Sequence, residues 1–317
     1  MGKYNDVINE YLAEPRRFAD LINAGCHDGR QVIGAADLEE ASEHVQSGMR
    51  DVKKRLKSGE TCAVLALENQ ENVDYEMPYR IMRYDSMEYD RQVRNIHGRK
   101  REELLAKGLK PSRYAEKMGQ EDRLFPVYTV CFYHGTKGWN GPRSLKEMMD
   151  FGKERQGLFP AQFHDYGITV IDASDEGLAK HCTTELRYLL MALGARGSKQ
   201  RMQELLRSDE FQNLDQETAK VIAVMTDMQE FMENMEQYKN DKGGYRMCQA
   251  IEELKEEFRE EGRAEGRAEG RAEGRAEGRA ETRIDNVRSL MQTLKMTAQE
   301  AMDALLIPQE ERGKLKV

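Results

Sequence analysis

The chain has 317 residues and a formal net charge of −8, so no overall positive field attracts nucleic acid and such binding would need a local basic patch. Hydrophobic residues make up 39% and charged residues 33%. No apolar stretch approaches the roughly 20 residues of a membrane span, and the N-terminal segment lacks the hydrophobic region of a signal peptide. We therefore expect a cytoplasmic protein without membrane association.

Five widely separated cysteines without CxxC spacing favour reduced thiols and argue against a structural zinc site. Residues 5–24 show helical periodicity, and Pro15 predicts a break or the start of a second helix. The stretch ADLEEASEHVQSGM (36–49) is interpreted as a connector with a turn of helix. An extended segment from about residue 50, a turn at residues 58–59 and a buried strand at 62–67 are predicted next.

Pro78 lies where a long helix can begin. Two further buried strands are predicted, one within LFPVYTVCFYHG (124–135) and one within GITVIDAS (167–174). Strands separated by a long helix favour an α/β unit with a mixed sheet flanked by helices. We assign this unit to residues 1–175.

An all-α C-terminal region is expected after the α/β unit. Residues 176–240 have helical periodicity without strands and are assigned to a helical subdomain. Residues 241–283 contain five copies of EGRA (261–280) and form a charged helix or linker, because interior glycines and like charges four residues apart disfavour an isolated helix. Residues 284–317 form a small helical segment, in which Thr297 and Glu300 fit a capping box.

The apolar run of the central strand ends at Glu68, where the sequence becomes polar. No glycine or proline marks a turn at this point. Asp51 opens the preceding extended segment, and an antiparallel pairing would bring the two carboxylates to one end of the sheet. Carboxylate oxygens on separate rigid elements suit a hard cation such as Mg²⁺. Gln70 follows Glu68 by two residues and therefore lies on the same face of the strand.

Several stretches of the sequence resemble one known protein family. The stretches are RDV (50–52), LALENQENVDYEMPYRIMRYD (65–85), VYTVCFYHGTKGWNGPRSL (127–145) and the EGRA repeats followed by MTAQEAMDALLIPQEER (296–312). Together they resemble the recombination-promoting nuclease / transposase family of the PD-(D/E)XK nuclease superfamily. The resemblance covers most of residues 1–175. It implies a restriction-endonuclease-like core and Mg²⁺-dependent hydrolysis of DNA phosphodiester bonds, with Mn²⁺ as a substitute ion.

The resemblance also implies roles for individual residues. Asp51 and Glu68 correspond to the two metal-binding acids of the family, and the backbone carbonyl of Asn69 would be a third ligand. Gln70 takes the place of the family's lysine and can orient, but not electrostatically activate, a water molecule or a phosphate oxygen. Asp6 is a weaker candidate for a further acid.

Basic residues after the central strand predict contacts with DNA phosphates. Residues 91–117 contain nine lysines or arginines against three glutamates, a local surplus of positive charge in an acidic protein. The candidate DNA-binding residues are Arg80, Arg83, Arg91, Arg94, Arg99, Lys100 and Arg101.

Two alternatives to an active endonuclease remain open at this point. The chain could keep the fold and bind DNA without cutting it, because Gln70 replaces the lysine. Alternatively, it could be an oligomeric interaction protein that acts through its C-terminal helical region, which is also where a homo-oligomer would form.

Overall fold

The computed structural model describes residues 3–41, 51–58, 60–113, 115–151, 163–247, 282 and 284–307. The chain divides into two compact units, Met1–Ala250 and Ile251–Val317. The first unit has an α/β fold, as the sequence predicts. The EGRA repeats, the turn residue Gly59, Cys248 and the end of the chain from Pro308 onward lie outside the described residues.

The first unit contains a five-stranded mixed sheet whose strands follow one another in chain order. The second strand pairs antiparallel with both the first and the third, whereas the fourth pairs parallel with both the third and the fifth. A parallel step needs a crossover connection, and a long helix, α3 (Met77–Ala106), provides it between the third and fourth strands. The strands are β1 (Leu38–Glu40), β2 (Val52–Ser58), β3 (Glu60–Gln70), β4 (Val127–Tyr133) and β5 (Thr169–Asp172).

The edge strand β1 is absent from the sequence interpretation, which was wrong for this part of the connector. A short 3-10 helix, Ala35–Asp37, precedes it. The strand exists because of its neighbour: Glu40 pairs in register with Lys54 of β2 and forms an ion pair with its fully buried ammonium group. A three-residue strand carries no periodicity that a sequence could reveal.

The N-terminal helices agree with the prediction of a break at Pro15. Helix α1 (Lys3–Ala13) ends just before it, and α2 (Pro15–His27) begins with it. Proline is tolerated in the first turn of a helix because its missing N–H would have no intrahelical partner there. The Glu14 side chain accepts a hydrogen bond from the Arg17 backbone N–H and caps the start of α2.

Helices cover both faces of the sheet. On one face, α3 carries Glu88, which pairs with Lys53 of β2, and Asp85, which accepts a hydrogen bond from Thr129 of β4. On the other face, α2 passes so close to β5 that a side chain at Gly25 would collide with Ile171. The central strand β3 is therefore buried between the helices of the two faces.

Four helices follow β5 within the same compact unit as the sheet: α4 (Leu186–Ala195), α5 (Lys199–Arg207), α6 (Gln216–Met225) and α7 (Gln229–Glu233). They are anchored to the N-terminal helices. The Tyr11 hydroxyl shares a buried hydrogen bond with Thr218 of α6. Arg17 of α2 pairs with Glu185, the residue before α4, at 2.9 Å. The helices of residues 176–240 thus pack on the α/β unit.

The second unit contains a small hydrophobic cluster of its own. Residues 284–294 are helical, and α8 (Ala298–Ala304) follows. Val287 of the first helix packs with Ala301, Met302 and Ile307. The predicted capping box is confirmed, because Thr297 and Glu300 bond to each other's backbone N–H groups at the start of α8.

The helices and the cysteines bear on two further expectations from the sequence. Within the described ranges, no helix combines the length and apolar character that a membrane crossing requires. The four described cysteines are all free thiols, of which Cys131 and Cys182 are buried and Cys26 and Cys62 are exposed.

Candidate active site

The pairing of β2 with β3 brings two acidic residues to one end of the sheet. Val52 faces Leu67 in the antiparallel register, and the Asp51 backbone N–H donates to the Leu67 carbonyl at 3.2 Å. Asp51 directly precedes Val52 and Glu68 directly follows Leu67, so the two acids lie at the same end of the β2–β3 pair. The backbone arrangement that the sequence suggests for the two acids is therefore present.

Two asparagines, Asn9 and Asn69, hold the Asp51 carboxylate. The Asn69 backbone N–H donates to one Asp51 carboxylate oxygen at 2.7 Å, and the Asn9 amide donates to the other at 3.0 Å. The Asn69 side-chain amide in turn donates to the Asn9 side-chain oxygen. Helix α1 is thus connected to the ends of both β2 and β3. Two neutral donors orient the Asp51 carboxylate without neutralising its charge.

Glu68 is engaged by a cation from the opposite side of the sheet. Its side chain is buried, and the Arg80 guanidinium of α3 donates to its Oε2 at 3.3 Å. Arg80 also forms an ion pair with Asp74. Burial opposes the charge on Arg80, but the hydrogen bond to Asp74 and the neighbouring Tyr84 and Glu68 outweigh it and raise the pKa of Arg80 above its usual value. Arg80 therefore stays protonated next to Glu68.

The two carboxylates consequently have different partners. Successive side chains of a strand alternate between the faces of a sheet, so Glu68 points to the α3 face and Asn69 to the α1 face. The Asp51 carboxylate accepts a hydrogen bond from Asn69, whereas the Glu68 carboxylate accepts one from Arg80. The backbone brings the acids together, and their side-chain partners lie on two helices.

The surroundings of Glu68 are enclosed and largely apolar. Cys131 of β4 faces Glu68 in register and belongs to a cluster with Met77, Tyr133 and Trp139. Burial, and secondly the charge of Glu68, raise the pKa of the Cys131 thiol to about 12. This thiol therefore stays protonated at neutral pH, and its role beside Glu68 is that of an apolar wall.

The loop after β4 contributes Trp139 to this cluster. The Trp139 backbone N–H donates to Asp172 at the end of β5 at 2.7 Å, and its indole N–H donates to the Gly141 carbonyl at 2.9 Å. The indole packs edge-on against Tyr133, with ring centroids 5.2 Å apart. The carboxyl ends of β4 and β5 are thereby closed on the α3 face.

Gln70 is the last residue of β3 and is half-buried. It pairs with Tyr133 of β4, and its carbonyl accepts a hydrogen bond from the His134 backbone N–H at 2.8 Å. Its side chain shares the α3 face with Glu68, in agreement with the two-residue spacing. Gln70 can therefore face the same volume as Glu68.

His134 is a buried residue that the sequence does not single out. Its side chain is fully buried, and neither ring nitrogen is hydrogen-bonded to another described residue. Arg196, beside it, donates to the His134 carbonyl and to that of Met225. Burial, together with the charge of Arg196, lowers the pKa of His134 to about 4. His134 is therefore neutral at physiological pH.

The candidate DNA-binding residues all lie on α3, but they differ in their surroundings. Arg91 pairs with Glu88 at 2.5 Å, and Arg94 with Asp90 at 3.1 Å. Arg99 and Lys100 both pair with Asp122, at 3.0 and 2.7 Å. Arg83 and Arg101 are exposed. The helix thus presents basic groups along its whole length, from Arg80 beside Glu68 to Arg101 near its C-terminal end.

On α1, Asn9 rather than Asp6 contacts the candidate site. Asp6 is exposed, whereas Asn9 bonds to both Asp51 and Asn69. A search of the sequence for acidic ligands passes over Asn9 because an amide carries no charge. Its position one turn after Asp6 on the same helix is the signal that could have found it.

The oxygen atoms at this sheet end suit Mg²⁺ or Mn²⁺ in chemical type. Asp51 and Glu68 supply carboxylates, and the Asn69 backbone supplies a carbonyl. The Asn69 side-chain oxygen is buried and accepts no hydrogen bond from the described part of the chain, so one further oxygen in the Asp51 network is unsatisfied. Within the same residues, no cluster of three or more histidine, cysteine, aspartate or glutamate side chains is placed to hold a metal. The donor set therefore rests on two carboxylates and oxygens of Asn69.

Comparison of the chain with protein-family models, with curated proteins and with solved structures found no match. The functional argument accordingly depends on the geometry described above.

The burial of His134 predicts a pH-dependent stability. The unfolded chain protonates this residue near pH 6.5, whereas the folded chain does so only near pH 4. The free energy of unfolding should therefore be fully retained above pH 6.5 and decrease by about 3 kcal/mol as the pH falls to 4. Urea denaturation at a series of pH values measures this decrease.

His134→Leu should remove that component of the pH dependence, whereas His164→Asn, at an exposed position, should leave it unchanged. Equal pH slopes for the wild type and His134→Leu would show that His134 titrates normally in the folded chain.

Proposed function

We propose that the chain is a Mg²⁺-dependent DNA endonuclease with a PD-(D/E)XK-like core, in which Mn²⁺ can substitute for Mg²⁺. The observation that carries the proposal is the register of β2 against β3, which brings Asp51 and Glu68 to the same end of this strand pair, at the carboxyl end of β3. Recombination or transposition is the cellular process that the sequence resemblance suggests for such an activity.

The order of secondary structures gives the proposal further support. Two helices and three antiparallel strands precede α3, and β4 then returns parallel to β3. This arrangement is compatible with a restriction-endonuclease-like core. The carboxyl end of β3 carries Glu68, Asn69 and Gln70 together, so the ENQ tripeptide lies where functional groups of an α/β sheet usually collect.

A bound divalent cation would supply Lewis-acid activation of the scissile phosphate and of a water molecule. Asp51, Glu68 and the Asn69 carbonyl would hold it. The chain's own contribution is orientation: Asn9 and the Asn69 N–H fix the Asp51 carboxylate, and the enclosure around Glu68 excludes bulk water.

Gln70 and Arg80 have separate roles in the proposed mechanism. Gln70 has no positive charge, so its amide orients an attacking water or a phosphate oxygen by hydrogen bonding. Arg80 supplies the positive charge that a lysine at position 70 would otherwise bring to the site. Its guanidinium is planar and suited to binding phosphate oxygens in pairs.

Cleavage of supercoiled plasmid tests the proposal. Asp51→Asn and Glu68→Gln keep the size of each side chain but remove a metal-binding charge, and each should lower the nicking rate by about a hundredfold or more. Nicking should require Mg²⁺ or Mn²⁺ and stop with EDTA.

Glu71→Gln makes the same chemical change at an exposed position three residues after Glu68 and should cut at the wild-type rate. Cleavage that survives both site substitutions would contradict the assignment of the acids. Metal-independent DNA binding without any cleavage would instead favour the alternative in which the fold binds DNA and does not cut it.

Arg80 and a divalent cation should compete for Glu68. The substitution Arg80→Gln removes the guanidinium charge and should tighten Mn²⁺ binding on the order of tenfold. The reason is that a half-buried positive charge next to a ligand carboxylate opposes the binding of a metal cation. Isothermal titration calorimetry without DNA measures this directly.

Arg83→Gln is the matched control for this effect, since Arg83 is exposed and lies three residues further along α3. Unchanged or weaker Mn²⁺ binding in Arg80→Gln would mean that Glu68 is not a ligand of the ion.

A further inference from the structure

A basic cleft lies outside the candidate active site, between β2, α3 and the segment that leads into β4. It has a volume of about 330 Å³, near the lower end of the range of roughly 300–1,000 Å³ that is typical of small-ligand pockets. Arginines from all three elements line it: Arg55 from β2, Arg91 and Arg99 from α3, and Arg123 from the segment before β4.

The cleft and the candidate active site share one face of the sheet. Val64, in the floor of the cleft, precedes Glu68 by four residues on β3, a distance of about 13 Å along the strand. Arg91 follows Arg80 by eleven residues on α3, about 16 Å along the helix. One extended polymer could therefore reach both places along α3.

The lining of the cleft is rich in arginine. Four arginines and a single acidic residue, Glu88, line it. Glu88 already pairs with two cations, Lys53 at 2.6 Å and Arg91 at 2.5 Å. Burial disfavours its charge, but these two partners outweigh that effect and hold the pKa of Glu88 below its usual value. Glu88 therefore stays ionised and holds Lys53 and Arg91 at the side of the cleft.

The same balance holds at the other end of the cleft. Asp122 accepts from both Arg99 and Lys100, at 3.0 and 2.7 Å. One carboxylate again faces two cations. Arg123 directs its guanidinium to backbone carbonyls, including that of Asp122 at 2.9 Å, which carry no net charge. The cleft thus offers several positive charges to an anion.

An exposed aromatic ring completes the cleft. Phe125 is 40% exposed. Its backbone is fixed on both sides by Gln92, whose amide donates to the Phe125 carbonyl at 3.1 Å and accepts from the Phe125 N–H at 2.7 Å. A rigid backbone presents the ring at a defined place, and Asn95 adds an exposed amide in the lining. Cations beside a fixed aromatic ring match a phosphate joined to a planar base.

We propose that this cleft binds one nucleotide unit of a single-stranded nucleic acid, with its phosphate on the arginines of β2, α3 and the β4 entry segment and its base stacked on Phe125. The inference rests on the proposed function only for the choice of a nucleic acid as the ligand. Bases of a duplex are already stacked on one another, so a single strand should bind more tightly than the same sequence in a duplex.

Fluorescence anisotropy with a labelled 12-nucleotide oligothymidylate in EDTA tests this, because no metal-dependent cutting occurs there. Arg55→Gln and Arg123→Gln should each weaken binding and lower the dependence of log K on log salt by about 0.7. Phe125→Ala should weaken binding at least about fivefold, and Phe125→Leu should do the same while preserving the apolar surface. The duplex should bind more weakly than the single strand.

Two control variants separate the cleft from general charge and surface effects. Arg201→Gln removes an exposed arginine of α5, outside both the cleft and the candidate DNA-binding residues, and Tyr128→Ala removes an aromatic side chain that is 57% exposed on β4. Both should bind the oligonucleotide as the wild type does. Thymidine monophosphate should compete only weakly; competition as strong as that of the oligonucleotide would mean that the cleft is a site for free nucleotides.

Wild-type affinity in the cleft variants, or equal losses in Arg201→Gln and Arg123→Gln, would overturn the inference. The proposed function is tested independently by plasmid cleavage. If the wild type cleaves plasmid but the cleft variants bind the oligonucleotide normally, only the inference about the cleft is wrong. If the cleft variants lose binding but the wild type does not cleave DNA, only the proposed nuclease activity is wrong.

Discussion

The antiparallel pairing of β2 with β3 is the constraint on which the rest of the site depends. This register brings Asp51 and Glu68 to the same end of the strand pair and leaves Asn69 and Gln70 at the end of β3. A shift by one residue would exchange the faces of every side chain in the strand, taking Glu68 from Arg80 and Asn69 from Asn9. The buried run before Glu68 resists such a shift, since Leu65 and Leu67 would have to exchange faces with the smaller Val64 and Ala66 between two packed layers. Hydrophobic burial therefore holds the polar site in place.

The electrostatic consequence of this arrangement concerns Glu68. A buried carboxylate is costly unless it is paired, and Arg80 provides a partner from α3. The same arginine is anchored by Asp74, so its position does not depend on Glu68 alone. An ion that takes Glu68 would leave Arg80 beside Asp74, close to where a phosphate would lie. Arg80 would thus pair with Glu68 in the metal-free state and be available to a phosphate in the metal-bound state.

How much of this could be predicted from the sequence depends on the range of the interactions involved. The helix break at Pro15, the strand before Glu68 and the capping box at Thr297 follow from local patterns, and all three are present. Strand β1 could not be predicted because three residues carry no periodicity, and its existence depends on Lys54 in another strand.

The partners of the site residues were equally inaccessible to sequence reasoning. The Asn9–Asp51 contact joins residues 42 positions apart, and no charge pattern marks Asn9 as part of a site. The basic cleft is a stronger case, since it combines three elements that are brought together only by the sheet register and by the course of α3. Local composition identified α3 as basic, but only the fold identifies which arginines face Phe125.

The most direct test of the central claim is a crystal structure of the chain grown with Mn²⁺ and measured for anomalous scattering. We predict one anomalous peak with ligand oxygens from Asp51, Glu68 and Asn69 at about 2 Å. Arg80 should then have moved away from Glu68. A peak on other residues, or no peak at millimolar Mn²⁺ with Arg80 still on Glu68, would contradict the assignment of this sheet end as a metal-dependent active site.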